Sequence, residues 1–192
     1  MIGEKEIEAL FAKQLARIGD AELRGKVVKT FVLACRRGNW ESVEAVRKMP
    51  FTLLTETHGI SFVEHTIAVT EGAAALGRAQ AEAYIKLPYA IDFDRLYAGG
   101  LLHDVGKLLE IEPDSRGGYR KSQSGQYARH PVSGAILASE CGLPGDIINI
   151  IVCHAKEGEG RPQVVEAVLI HQADFATFDP LAMKQKGALI EP

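Results

Sequence analysis

The chain carries six histidines, His58, His65, His103, His130, His154 and His171, and these have the widest chemical range of any residues in it. Neutral imidazole is the commonest ligand for transition metals, and carboxylates complete sites for harder ions. A count of histidines decides nothing; placement does. His103 and Asp104 are adjacent inside AGGLLHDVGKLLEI, where Leu101, Leu102, Val105, Leu108 and Leu109 make a helix apolar on most sides. Such a helix is buried, and a buried His-Asp pair without partners is strongly unfavourable. A metal ion satisfies both side chains at once. Gly99, Gly100 and Gly106 lie in the same segment, and each lowers helix propensity by about 1 kcal/mol. That loss points to close backbone approach by a second helix or a ligand.

Four further residues join this pair in a recognisable order. His65 precedes it; His130, in RHPVSGAIL, His154, in INIIVCHAKEG, and Asp174 follow. His103-Asp104 is itself followed by Val-Gly-Lys. The pattern resembles the H…HD…D signature of the HD superfamily of metal-dependent phosphohydrolases, in the extended form with two additional histidines that marks its dinuclear branch. The resemblance spans roughly residues 58–178. It implies that His65, His103, Asp104 and Asp174 hold one metal, and that Asp104 bridges to a second held by His130 and His154. It also implies a metal-bridging hydroxide as nucleophile, acting on a phosphoester of a nucleotide or small phosphorylated metabolite, with Asp104 and Lys107 as catalytic residues. The expected cofactor is one or two divalent ions among Fe, Mn, Zn, Ni, Co and Mg, since this donor set suits all of them. Two features depart from some relatives: Ala155 stands where a second adjacent histidine can occur, and the region after His154 lacks the GYP element of cyclic-di-GMP phosphodiesterases.

Lys107 lies one helical turn beyond His103 and can reach a phosphate oxygen as a point charge. His171 is three residues from Asp174 on one helix face, which suits a residue that supports a ligand. His58 is read as structural. Arg116, Arg120, Lys121 and Arg129 fall in the polar segment 112–129, which is either a solvated loop or a lid that gathers a multiply charged substrate.

Periodicity supplies the frame that must position these groups. Apolar residues recur at helical spacing over 2–18, 21–37, 40–49, 60–77, 78–86, 92–111, 131–141, 144–155 and 162–177, while 51–59 reads as an extended linker. Strand signals are nearly absent, so the expected fold is all-α: a helical N-terminal extension over 1–50 and an HD-type bundle over 51–192.

Composition is that of a globular chain, with 46% hydrophobic and 24% charged residues. The formal net charge of -3 argues against nucleic acid as a partner and leaves a small phosphorylated substrate. Cys35, Cys141 and Cys153 are odd in number and widely spaced, so neither a disulfide framework nor a zinc knuckle is expected. No apolar run is long enough to span a membrane and no signal-peptide core is present, which gives a cytoplasmic expectation. The amphipathic N-terminal helices suggest a homodimer. Two other functional classes fit the same ligands: a mixed-valent di-iron oxygenase of HD type, and a non-catalytic HD module that binds a metal or ligand.

Overall fold

Helix starts are written into the chain by side-chain caps. Asp20 accepts hydrogen bonds from the amides of Glu22 and Leu23, and Asp92 from that of Arg95. Ser61 and Glu64 form a reciprocal capping box. In this computed structural model, which describes residues 2–158 and 161–190, the helices so begun are α3 (Ala21–Arg37), α6 (Phe93–Leu102) and α5 (Phe62–Ala83). Before α3 come α1 (Glu4–Leu10) and α2 (Ala12–Leu15), and after it α4 (Val43–Lys48). Beyond α6 lie α7 (Lys107–Glu110), the strands β1 (Ile111–Pro113) and β2 (Tyr119–Lys121), then α8 (Gln123–Tyr127), α9 (His130–Glu140), α10 (Gly145–Cys153) and α11 (Val165–Gln185). The fold is all-α, as its periodicity implies, with one small antiparallel hairpin added.

The apolar stripes meet in one core. The long helix α5 lies against both α6 and α11, and α10 packs on α6, α9 and α11. From the N-terminal side α3 crosses α6, α7 and α9, bringing Phe31 and Val27 into the same interior as Leu101 and Ile150. Trp40 closes this contact by donating its indole N–H to the carbonyl of Leu108 at 2.8 Å.

Five elements differ from the periodic reading. The segment 2–18 is broken at Phe11 into α1 and α2. The segments 60–77 and 78–86 form a single helix, α5, that stops at Ala83. The segment 92–111 is not one helix: α6 ends at Leu102, residues 103–106 form a tight turn, and α7 resumes at Lys107. In that turn the amides of Val105 and Lys107 bond three residues back, to Leu102 and Asp104, instead of four. The polar segment 112–129 is ordered into the β1–β2 hairpin and α8. Finally, α11 runs through Pro180 to Gln185. Proline removes the donor to the carbonyl four residues earlier, and that residue, Ala176, is exposed, where water can replace the bond.

Among the described residues no helix is long and apolar enough to cross a membrane.

Candidate metal centre

The break between α6 and α7 is where the site is made. A continuous helix would spread 103 to 106 around its axis; the tight turn instead aims Asp104 into the interior, fully buried. The turn needs glycine beside it. A Cβ on Gly106 would stand 2.1 Å from the His130 carbonyl oxygen, and one on Gly100 would meet the Thr70 Cα at 3.0 Å. The glycines therefore mark close backbone approach of α9 and α5 to this segment.

Four histidines surround Asp104, each from a different element. His65 lies in the second turn of α5, and His103 caps the end of α6. His130 opens α9, and His154 caps the end of α10. His65 Nε2 is 3.2 Å and His103 Nε2 3.4 Å from Asp104 Oδ2. On the other side, His130 Nε2 is 3.3 Å and His154 Nε2 3.4 Å from Oδ1. Asp174, from α11, brings Oδ1 within 3.1 Å of His65 Nε2. The result is two ligand groups sharing one carboxylate: His65, His103, Asp104 and Asp174, and Asp104, His130 and His154.

The other ring nitrogen of each histidine is held, and this fixes which nitrogen faces inward. His103 Nδ1 bonds the Gly100 carbonyl at 2.6 Å, and His154 Nδ1 the Ile151 carbonyl at 2.8 Å. Both use the same device, a helix-capping histidine that takes the carbonyl three residues back. His130 Nδ1 donates to Glu110 Oε2 at 3.0 Å. The Thr177 hydroxyl donates to the Asp174 carbonyl and so presents a lone pair to His65 Nδ1 at 3.3 Å. With the protons on Nδ1, the Nε2 atoms are bare acceptors pointing at a carboxylate. Accordingly Nε2 of His65, His103 and His154 and Oδ1 of Asp104 are buried with no hydrogen bond, while Oδ2 has the Lys107 ammonium beside it. Acceptors facing acceptors in a dry interior repel, and divalent cations between them relieve the conflict. The residues present fit such ions.

Electrostatics agree. Burial alone would raise the Asp104 carboxyl, but the Lys107 ammonium, 2.5 Å from Oδ2, and the adjacent His103 imidazole hold it well below the usual carboxylate range. Asp174 is likewise held down to about 2: burial and the neighbouring Asp104 carboxylate push it up, and the His65 bond together with the His103 and His154 imidazoles outweighs them. Burial pushes His130 below its ordinary value, which keeps it neutral and able to ligate.

A cavity of about 530 Å³ opens onto this centre, with His130, Asp174, Lys107, Lys121 and Arg129 among its lining. Arg116 and Arg120 lie outside it; Arg120 pairs with Glu112 across the hairpin. Lys121 and Arg129 both approach Glu110 Oε1, at 3.8 and 2.9 Å. His58 is exposed, has a positive φ of 50° and belongs to neither ligand group, and His171 supports the site by bonding the His154 carbonyl at 2.6 Å.

Two supporting residues escape a search for ligands. Thr177 leaves no sequence signal. Glu110 does: a carboxylate between Leu109 and Ile111 in an apolar run must be buried against a partner. Hydrogen bonds and charge from His130 and Arg129 overcome its burial and lower its carboxyl to about 2. Glu110→Gln is expected to weaken the ion next to His130 by about 10–100-fold while the ion next to His65 binds as before, as read by competition with a metallochromic chelator. In metal-free protein Glu110 adds stability fully above its ordinary value of 4.5, and that contribution is lost as pH falls toward about 2. Urea melts of parent and variant should therefore differ at pH 6 and converge at the acid end.

The profile of the family described as "HD domain" matches residues 62–176. The chain belongs to the HD domain family. This is a family of metal-dependent phosphohydrolases, and the match spans all six residues gathered at Asp104. Similar curated proteins are the Ribonuclease Y of Pseudothermotoga lettingae, 30% identical over 145 residues, and that of Thermotoga maritima, 27% identical over 168 residues. These alignments cover 76% and 88% of this chain but 23% and 28% of the relatives, so the HD chain spans about a quarter of their length. A shorter match, 34% over 74 residues, is to the Ribonuclease Y of Borreliella burgdorferi. No solved structure gives a significant match. The relatives correct the expectation that nucleic acid is not a partner. That expectation rests on net charge, an average over the surface, whereas Lys107, Lys121, Arg129 and Lys156 all line one cavity of this HD domain.

Proposed function

We propose that this HD domain is a dinuclear phosphodiesterase acting on RNA or a short oligonucleotide. The observation that carries the reading is the division of Asp104: Oδ2 faces His65 and His103, and Oδ1 faces His130 and His154. A carboxylate addressed by two separate imidazole pairs is the arrangement that bridges two ions. In this reading Asp174 completes the first site, with Asp104 shared. Divalent cations so placed polarise a phosphoryl group and acidify water.

The chain's own residues supply the rest. Lys107, Lys121 and Arg129 line the approach and balance the charge of an incoming phosphodiester. The Nδ1 hydrogen bonds keep the imidazoles aimed before any ion arrives, so little reorganisation accompanies loading. The names of the similar proteins support a ribonucleotide polymer over a small metabolite.

The test is a substrate panel on protein purified without added metal and then given Mn, Ni, Co, Zn or Mg. Single-stranded RNA and bis(p-nitrophenyl) phosphate should be cleaved in a metal-dependent way, and p-nitrophenyl phosphate much more slowly. Hydrolysis confined to the monoester would overturn the diesterase reading. Protein that retains iron, consumes oxygen and cleaves none of these esters would move the HD centre to oxidative chemistry.

A further inference from the structure

The cavity has two unlike kinds of lining. Its cations come from α7, the β1–β2 hairpin, the start of α9 and, in Lys156, the turn after α10. Its apolar wall comes from the 51–54 linker and α11, as Phe51, Leu53, Leu54, Phe175 and Phe178, and the Lys107 ammonium stands 5.6 Å over the Phe51 ring, where the two kinds meet. Leu54 is 74% exposed and Leu53 43%, so these aliphatic groups line the opening without being covered by the fold. The wall is joined to the metal centre. Phe178 meets Phe51 edge-on at 6.5 Å, and the Phe51 ring stacks on the His65 imidazole at 4.2 Å. Phe175 is braced by His171, the residue that holds the His154 carbonyl, at 4.5 Å between rings.

We infer that this wall is a nucleobase subsite, which takes one unstacked base while its phosphate lies at the metal centre. The inference rests on the phosphodiesterase reading and adds the part of the substrate that is recognised. A cavity of about 530 Å³ is sized for a nucleotide. Inorganic phosphate or a sugar phosphate would use the cations and leave the partly exposed rings of Phe175 and Phe178 wet. A base is flat, apolar on both faces and tethered to a phosphate, which matches phenyl rings that share one cavity with ammonium and guanidinium groups. Stacking on aromatic side chains tolerates any base, so the subsite selects for an unpaired nucleotide and not for a sequence.

The test compares hydrolysis-resistant ligands by calorimetry on the metal-loaded protein: adenosine 5′-phosphonate, methylphosphonate and octylphosphonate. The nucleoside ligand should bind about 10-fold or more tighter than methylphosphonate. Phe175→Leu and Phe178→Leu should each lose most of that difference while methylphosphonate binding changes less than about twofold, which also shows that the variants fold. Leu54→Ser, at an exposed position, should lose part of it. Equal binding of the nucleoside ligand and methylphosphonate, or a difference that survives all three substitutions, overturns the subsite and leaves the diesterase reading standing. Octylphosphonate binding as tightly as the nucleoside overturns it in favour of an alkyl site. If no phosphonate binds metal-loaded protein, the diesterase reading fails and the subsite falls with it.

Discussion

Asp104→Ala protein should leave purification with almost no divalent metal, where the parent chain should carry about two ions, one for each ligand group. Among the described residues no other belongs to both groups, so no other single ligand substitution there should empty both. Removing Asp104 also leaves Lys107 without the carboxylate 2.5 Å from its ammonium, and brings the four Nε2 atoms together with no charge to hold cations between them. Hydrolytic activity should fall by about a thousandfold or more, the equivalent of the several kcal/mol of charge stabilisation that bound ions supply. Asp174→Ala is the informative partner, since Asp174 belongs to one group alone; it should retain about one ion per chain. Elemental analysis of the three proteins decides the matter. Full metal content in Asp104→Ala would remove the bridging carboxylate from the reading.

Gly106→Ala should be strongly destabilising, and more directly harmful to the metal centre than an equally tight methyl elsewhere. Its Cβ would lie 2.1 Å from the His130 carbonyl oxygen, 2.6 Å from Ser133 Oγ and 2.7 Å from the Gly134 amide nitrogen. Two of these are backbone atoms of α9, so relief requires α9 to move away from α7. A loss of about 3 kcal/mol or more is expected, at the upper end of overpacking effects, which for a chain of this size lowers Tm by roughly 6–12 °C. The displaced helix carries His130, so the variant should also lose the ion next to His130 before the ion next to His65. A variant that melts like the parent and holds both ions would show that α9 can accommodate the methyl.

The sequence discloses some of this through chemistry that has no alternative. A His-Asp pair among Leu101, Leu102 and Val105 has to be buried and has to be satisfied, and the glycines beside it signal the close approach that Gly100 and Gly106 make. The break at 103–106 is hidden for the same reason: an apolar run reads as continuous helix, and nothing in composition shows that the His103 ring will take the Gly100 carbonyl and tighten the turn. The β1–β2 hairpin is hidden because strands of three residues have too few alternations to register. Pro180 looks like a terminator, yet α11 passes it because the orphaned carbonyl faces solvent. The aromatic wall is scattered over Phe51, Phe175 and Phe178, more than a hundred residues apart at its extremes, and only packing brings it together. Net charge misleads because it sums the surface, while a ligand meets one face of it.

The ligands of Asp104 are drawn from positions as far apart as His65 and Asp174. The centre is therefore complete only in the packed fold: without α11 along α5 the first ligand group lacks Asp174, and without α9 against α7 the second lacks His130. A partly folded or misregistered chain has no point where both sets of donors converge. Ions taken from solution stabilise only the finished arrangement, in proportion to their free concentration. On the dinuclear reading, metal uptake would therefore report on completed folding, and a limiting supply of metal would lower the stability of the protein as well as its activity.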